Sequence, residues 1–195
     1  MLVIPKHSPD EFTLVALDPG SNTLGFSVLF IDIGTMSIKS SIATTFIGTK
    51  LDGNNSWNSI IHGERLGRIF AHEVNLLEMF LHYSPLQIAS ESPFYSQRRP
   101  QAFGALTEVI CAIRAAVRQY DIWKELKLID PPTVKKAVGA PGNGDKDVVK
   151  SKILQLSDLN YIGATPLHLL DEHSIDALAV NYCQYKQLLE RLCWT

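Results

Sequence analysis

Apolar and polar positions change period several times along this chain, and each change predicts an element. Leu14-Val15-Ala16-Leu17 is an unbroken apolar run, the pattern of a strand covered on both faces, and it predicts a strand over 12–18. Residues 23–32 and 37–47 predict two more strands, joined to each other by the turn Asp32-Ile33-Gly34-Thr35. The first three strands therefore form an antiparallel meander. Gly48 to Asn58 is polar and rich in Gly and Asn, a loop. Ile60, Ile61, Leu66, Ile69, Phe70, Val74, Leu77 and Phe80 recur at helical spacing and predict a helix over 59–82. A strand follows at 86–91, then an irregular segment bracketed by Pro93 and Pro100. The next helix runs over 101–120, with a stripe of Ala102, Ala105, Val109, Ala112, Ile113 and Ala116 suited equally to core packing or to a dimer interface. Strand five spans 126–130, and Pro131-Pro132 open a short helix, since proline is tolerated in a first turn. Gly139 to Gly144 is a loop, and helices follow at 146–157 and 171–192. Meander first, then alternating helix and strand, predicts an α/β fold: a mixed five-stranded sheet with helices on both faces. No internal repeat or linker interrupts it, so 1–195 reads as one domain.

Composition adds limits to this picture. The length of 195 residues suits one domain with a sizeable core. No apolar run approaches the roughly 20 residues needed to span a bilayer, and the N-terminus lacks a basic stretch followed by a long apolar one, so no secretory signal is expected. Cys111, Cys183 and Cys193 are odd in number and widely spaced, which suits reduced core residues in the cytoplasm. The net charge of −2 counts mildly against a nucleic-acid partner, but basic residues cluster locally at Arg98-Arg99, at Lys135-Lys136 and at Lys146, Lys150 and Lys152.

Acids stand in three apolar settings. Asp18 ends the first strand before Pro19-Gly20, Glu91 ends the fourth, and Asp176 precedes Ala177-Leu178-Ala179-Val180. A carboxylate in such a place is costly unless it is paired. Distant acids of this kind suggest one shared site, most simply a divalent-metal site. Read alone, Asp18 is equally an aspartate starting a turn, and Glu91 a strand-end acid in water. In the last helix His173 and Asp176, three apart, share a face. Glu172 is a geometrically possible partner for Asp176, whereas Asp171 falls about 140° round the helix.

Together these segments resemble the RuvC family of Holliday junction resolvases. The resemblance is carried by Asp18-Pro-Gly-Ser-Asn-Thr-Leu-Gly25-Phe-Ser-Val, Glu91-Ser-Pro-Phe94, Val134-Lys135-Lys136 with Gly144-Asp145-Lys146, and His173-Ser-Ile-Asp176-Ala-Leu-Ala. They stand in the family's order over residues 12–183, with the divergence of a phage-encoded member. The resemblance implies an RNase H-like fold and a homodimer that nicks opposing strands of a four-way junction with Mg2+ or Mn2+, two ions per site. It implies that Asp18, Glu91 and Asp176 are catalytic metal-binding carboxylates. His173, where many members carry an acid, would be a fourth metal ligand or would orient the attacking water. Phe94 matches an aromatic inserted at the junction centre, a task Tyr95 would share. Lys135 and Lys146 match DNA-contacting basic residues, and Lys136, Arg98 and Arg99 would extend that surface.

Elementary chemistry is consistent with these roles. Two cations about 3.5–4 Å apart can serve both the attacking and the leaving oxygen of a phosphodiester, and Mg2+ takes oxygen ligands while keeping several waters. The segment Gly139-Ala-Pro-Gly-Asn-Gly144-Asp145-Lys146 nearly mimics a phosphate-binding loop, but it has Asp145 where lysine is required and follows a predicted helix. It is expected to be a flexible loop presenting Lys146 to DNA. Other readings are a flap- or fork-cutting nuclease, a junction-binding module without catalysis, and an actin-like phosphotransferase, which would need a second domain.

Overall fold

The computed structural model describes residues 10–53, 56–94 and 100–192. Five strands form one sheet in the order β3-β2-β1-β4-β5: β1 Glu11–Asp18, β2 Thr23–Asp32, β3 Ile38–Ile47, β4 Gln87–Glu91 and β5 Leu126–Ile129. The β1–β2 and β2–β3 pairs are antiparallel, and β4 and β5 run parallel to β1. The expected strands are all present, with ends moved by a residue at most. Asp130, expected inside strand five, instead caps the next helix by accepting from the Thr133 backbone N–H.

The apolar run in β1 is buried on both sides, with Leu14 to Leu17 fully inaccessible. Alternation divides it. Leu14 and Ala16 pack with α5 (Pro131–Ala137), α6 (Lys146–Leu154) and α7 (Glu172–Leu192). Val15 and Leu17 pack with α3 (Glu64–Tyr83) and α4 (Pro100–Tyr120) on the other face. Asp18 has the parity of Leu14 and Ala16, so it belongs to the α7 face. Glu91 has the parity of Ala89, which packs on that same face. Leu17 pairs with Ser90, so one further step along the parallel register sets Asp18 beside Glu91.

Three expectations are corrected. The loop expected at Gly48–Asn58 contains the short helix α1 (Gly48–Asp52), and Trp57 starts α2 (Trp57–His62). The helix expected over 59–82 breaks at Gly63, whose φ of 85° ends α2 before α3 begins. Ile60 and Ile61 fit the helical period but are 61% and 68% exposed on α2. Of the cysteines, Cys183 is buried as expected, but Cys111 lies exposed on α4; Cys193 is outside the described residues. The small stripe on α4 is core: Val109, Ala112, Ile113 and Ala116 are buried within the chain, while Ala102 is exposed.

Buried polar groups pin α7 across the sheet. Asn181 donates from Nδ2 to the Leu14 and Ser27 carbonyls, Gln184 donates to the Val15 carbonyl, and Ser27 Oγ donates to the Ala177 carbonyl at 2.8 Å. Such bonds contribute little net stability each, but each is costly to break when buried, so they fix the position of α7 on β1 and β2. Gly25, paired with Asp18, is required at the crossing: a Cβ there would collide with the His173 carbonyl.

Candidate active site

The first turn of α7 sits over the C-terminal ends of β1 and β4. It brings His173 and Asp176 to Asp18 and Glu91, so the four chemistry-bearing residues expected from the sequence meet in one place. They line a cleft of about 600 Å³ with Phe94, Lys135, Lys146 and the Pro131-Pro132 start of α5. Nδ1 of His173 lies 2.8 Å from Oδ2 of Asp18, and its Nε2 lies 2.8 Å from Oγ1 of Thr23. Lys146 donates to Glu172 at 2.8 Å and approaches Asp176 Oδ2 at 3.6 Å.

Electrostatics mark these acids as crowded. Burial pushes the Glu91 carboxyl up to about 8, with the charges of Asp18 and Asp176 adding to the effect. Burial likewise raises Asp176 to about 6, assisted by Asp18. The hydrogen bond to Asp18 lifts His173 above the usual histidine range, against its own burial. Burial disfavours the Lys146 ammonium, but Glu172, Asp176 and Asp18 outweigh that and hold it above its ordinary value. Lys146 is thus the cation set against Glu172 and Asp176, and His173 is hydrogen-bonded to Asp18. Among the described residues, no three His, Cys, Asp or Glu side chains are grouped so that they could hold a metal ion as they stand. The donor set nevertheless suits a hard divalent cation: three carboxylates and one imidazole face a single cleft. A cation would also relieve the repulsion that lifts Glu91 and Asp176.

The remaining expected residues divide. Phe94, 62% exposed, stands at the cleft. Lys135 lines it and donates from Nζ to the Gly144 carbonyl at 2.7 Å. Lys136 is exposed and does not line the cleft. Tyr95, Arg98 and Arg99 lie outside the described residues. Lys146, expected to be offered to DNA by a loose loop, is instead the first residue of α6 and is turned onto acids. The loop before it is closed by Gly144 N–H donating to the Pro141 carbonyl, and Asp145 caps α6. Asp171 is occupied elsewhere, accepting from Thr45 Oγ1 at 2.6 Å and from the Ser174 backbone. Two participants escaped the sequence reading: Thr23, and Glu172 as the partner of Lys146. Strand pairing of Thr23 just after the Asp18 turn is the signal that could have found the first.

No protein-family model and no curated protein matches the sequence. Solved structures do. Thermus thermophilus RuvC in complex with a Holliday junction substrate is 18% identical, covering 91% of this chain and 96% of that one, with a TM-score of 0.64. A second Thermus thermophilus RuvC structure is 20% identical over 92% of this chain and 97% of that one, with a TM-score of 0.59. The yeast mitochondrial Holliday junction resolvase Ydc2 is 11% identical over 94% and 85%, with a TM-score of 0.58. At these identities the likeness is one of fold, and this chain has the RNase H-like fold of RuvC.

Proposed function

We propose that this chain is a metal-dependent endonuclease that resolves four-way DNA junctions by paired nicking of opposing strands. It would act as one RNase H-like domain over 1–195, paired as a homodimer. The observation that carries the reading is the meeting of Asp18, Glu91, His173 and Asp176 in one cleft. It is supported by a fold likeness that spans nearly the whole length of a RuvC solved in complex with a Holliday junction substrate.

Asp18, Glu91 and Asp176 would hold Mg2+ or Mn2+, with His173 as a fourth ligand. When bound, such ions supply a nucleophile at neutral pH and charge stabilisation at the phosphoryl oxygens. The chain's own groups do the rest. Asp18 orients the His173 ring through Nδ1. Lys146 and Lys135 stand at the cleft to meet the scissile phosphate, Lys146 exchanging Glu172 and Asp176 for it. Phe94, exposed at the cleft, would stack on a base freed at the junction centre, with Tyr95 beside it; such stacking is worth about 1–3 kcal/mol per base in single-strand binders. Lys136, Arg98 and Arg99 would contact phosphates along the arms, a salt-dependent contribution.

The test is a cleavage panel of synthetic four-way junctions, forks, flaps and linear duplex with Mg2+. Symmetric paired nicks in junctions, abolished by EDTA, are expected. Preference for forks or flaps would move the reading to another branched-DNA nuclease. Binding without cutting under every metal would reduce it to a junction-binding module.

A further inference from the structure

The His173 ring is held from two sides. Oδ2 of Asp18 is 2.8 Å from Nδ1, and Oγ1 of Thr23 is 2.8 Å from Nε2. Thr23 and His173 are separated by 150 positions in the chain. Thr23 opens β2 immediately after the Asp18-Pro-Gly turn, so the turn that delivers the carboxylate also delivers the hydroxyl. We propose that the Thr23 hydroxyl is a positioning group that holds Nε2 of His173 so that the Nδ1 edge faces Asp18 and the cleft. This deepens the nuclease reading and rests on it for the purpose of the cleft.

The chemistry of the three groups supports the assignment. A carboxylate oxygen at Nδ1 accepts from a ring that carries its proton there. A hydroxyl both donates and accepts. Thr23 can therefore donate to a bare Nε2 or accept from a protonated one, and it keeps the ring fixed in either state. Turning the ring over would place carbon atoms against both partners and lose both bonds. Should a cation take the place of the Asp18 hydrogen bond at the Nδ1 edge, the ring's proton would lie on Nε2, where the Thr23 oxygen would accept it. Partners of this kind fix the tautomer and orientation of a ligating histidine. Two other charged groups face the ring region. Glu172 Oε1 lies 3.7 Å from Nε2, beyond hydrogen-bond reach, and Lys146 is held by Glu172 and Asp176. Thr23 is thus the group in contact.

The test compares Thr23→Val, which keeps shape and removes the hydroxyl, with Thr23→Ser, which keeps the hydroxyl. Glu172→Gln is the control, and Thr23→Ala replaces the valine variant should that one fail to fold. Long-range 1H–15N spectra of full-length, histidine-labelled protein in EDTA report the ring nitrogens, with His173 assigned by loss of its signals in His173→Gln. Calorimetry with Mn2+ alone reports affinity. The valine variant should shift the Nε2 signal and weaken Mn2+ binding by about tenfold or more, with kcat reduced and KM for the junction unchanged. The serine variant should restore all three, and Glu172→Gln should leave the ring signals in place. Wild-type ring signals and Mn2+ affinity in Thr23→Val would overturn the inference, as would signals that move only in Glu172→Gln. Wild-type protein that cuts no DNA while its ring signals still depend on the Thr23 hydroxyl would sink the nuclease reading and leave the positioning role standing.

Discussion

The two faces of the sheet bury titratable groups in opposite senses. On α3, His72 is 1% exposed, and burial drives its imidazole down to about 4, so it is packed neutral against Gly48 at the start of α1. Beneath the start of α7, burial and mutual repulsion lift Glu91 to about 8 and Asp176 to about 6. The first face buries one base among Ile69, Leu76, Phe80, Val109 and Ile113, with the Thr13 and Ser90 hydroxyls as its buried strand polar groups. The second gathers several acids at one edge of an apolar layer and anchors its helix with Asn181, Gln184 and Ser27. The difference teaches that one side of the molecule is built for packing and the other tolerates repulsion at a place where a cation and a phosphate can relieve it.

The largest expected effects separate the faces by function. Asp18→Asn, Glu91→Gln and Asp176→Asn should each slow junction cutting by about 10²–10³-fold or more, the scale of losing one electrostatic stabiliser of a transition state. Gel-shift binding of the junction should survive in all three. On the other face, Phe80→Ala should cost about 3–5 kcal/mol in urea unfolding while turnover per folded molecule stays at the wild-type value. Equal loss of cutting from Phe80→Ala and Asp18→Asn, measured on folded protein, would erase the contrast.

Next comes the seam between the faces. Gly25→Ala sets a methyl against the His173 carbonyl, a backbone atom that cannot step aside cheaply. Overpacking of this kind costs about 1–3 kcal/mol, and cutting should fall further than thermal stability does, because the start of α7 carries half of the site. A crystal structure of the variant with α7 undisplaced would contradict this.

The smallest effects come from pH, and the signs are opposite. His72 has a folded pKa below its unfolded value of 6.5, so the unfolded chain binds the extra proton between about 6.5 and 4, and stability falls as pH drops through that window. Glu91 has a folded pKa above its unfolded value of 4.5, so the folded chain holds the extra proton between about 4.5 and 8, and metal-free stability falls as pH rises through that window. The two trends partly cancel in wild-type protein. In EDTA, Glu91→Gln combined with Asp176→Asn, whose carboxyl is raised in the same sense to about 6, should unmask acid sensitivity, and His72→Leu should unmask alkaline sensitivity, each on the order of 2 kcal/mol between pH 5 and pH 7. Urea midpoints at the two pH values measure both, and parallel pH profiles for the two variants would break the comparison.

Much of this was legible in the sequence, for reasons that particular residues make clear. The run Leu14 to Leu17 gave away its strand because burial on both faces leaves no polar position. Asp18 and Glu91 could be assigned to one site because both are acids ending apolar runs and both fall in the segments that resemble the family, whereas the parallel register that sets them side by side is seen only in the fold. The break in the long helix was not legible: Ile60 and Ile61 keep the helical period across Gly63, and only the backbone at Gly63 shows that the chain changes direction. The small stripe on α4 left two readings because apolar smallness serves a core and an interface alike; burial of Val109, Ala112, Ile113 and Ala116 decides for the core. The placement of Lys146 was not legible, because a lysine after a glycine-rich run looks loop-borne, whereas Asp145 caps α6 and that lysine reaches Glu172 and Asp176. Thr23 was missed because a ring's orientation depends on a hydroxyl 150 positions away, which no periodicity records.

The most direct measurement is the cutting of a synthetic four-way junction with Mg2+ by wild-type protein and by Asp18→Asn and Glu91→Gln, with EDTA alongside. Paired symmetric nicks from the wild type, absent in EDTA and in both variants while junction binding persists, are the expected result. Nicking that continues undiminished in EDTA, or at the wild-type rate in either variant, would contradict the assignment of this acidic cleft as a metal-dependent nuclease centre.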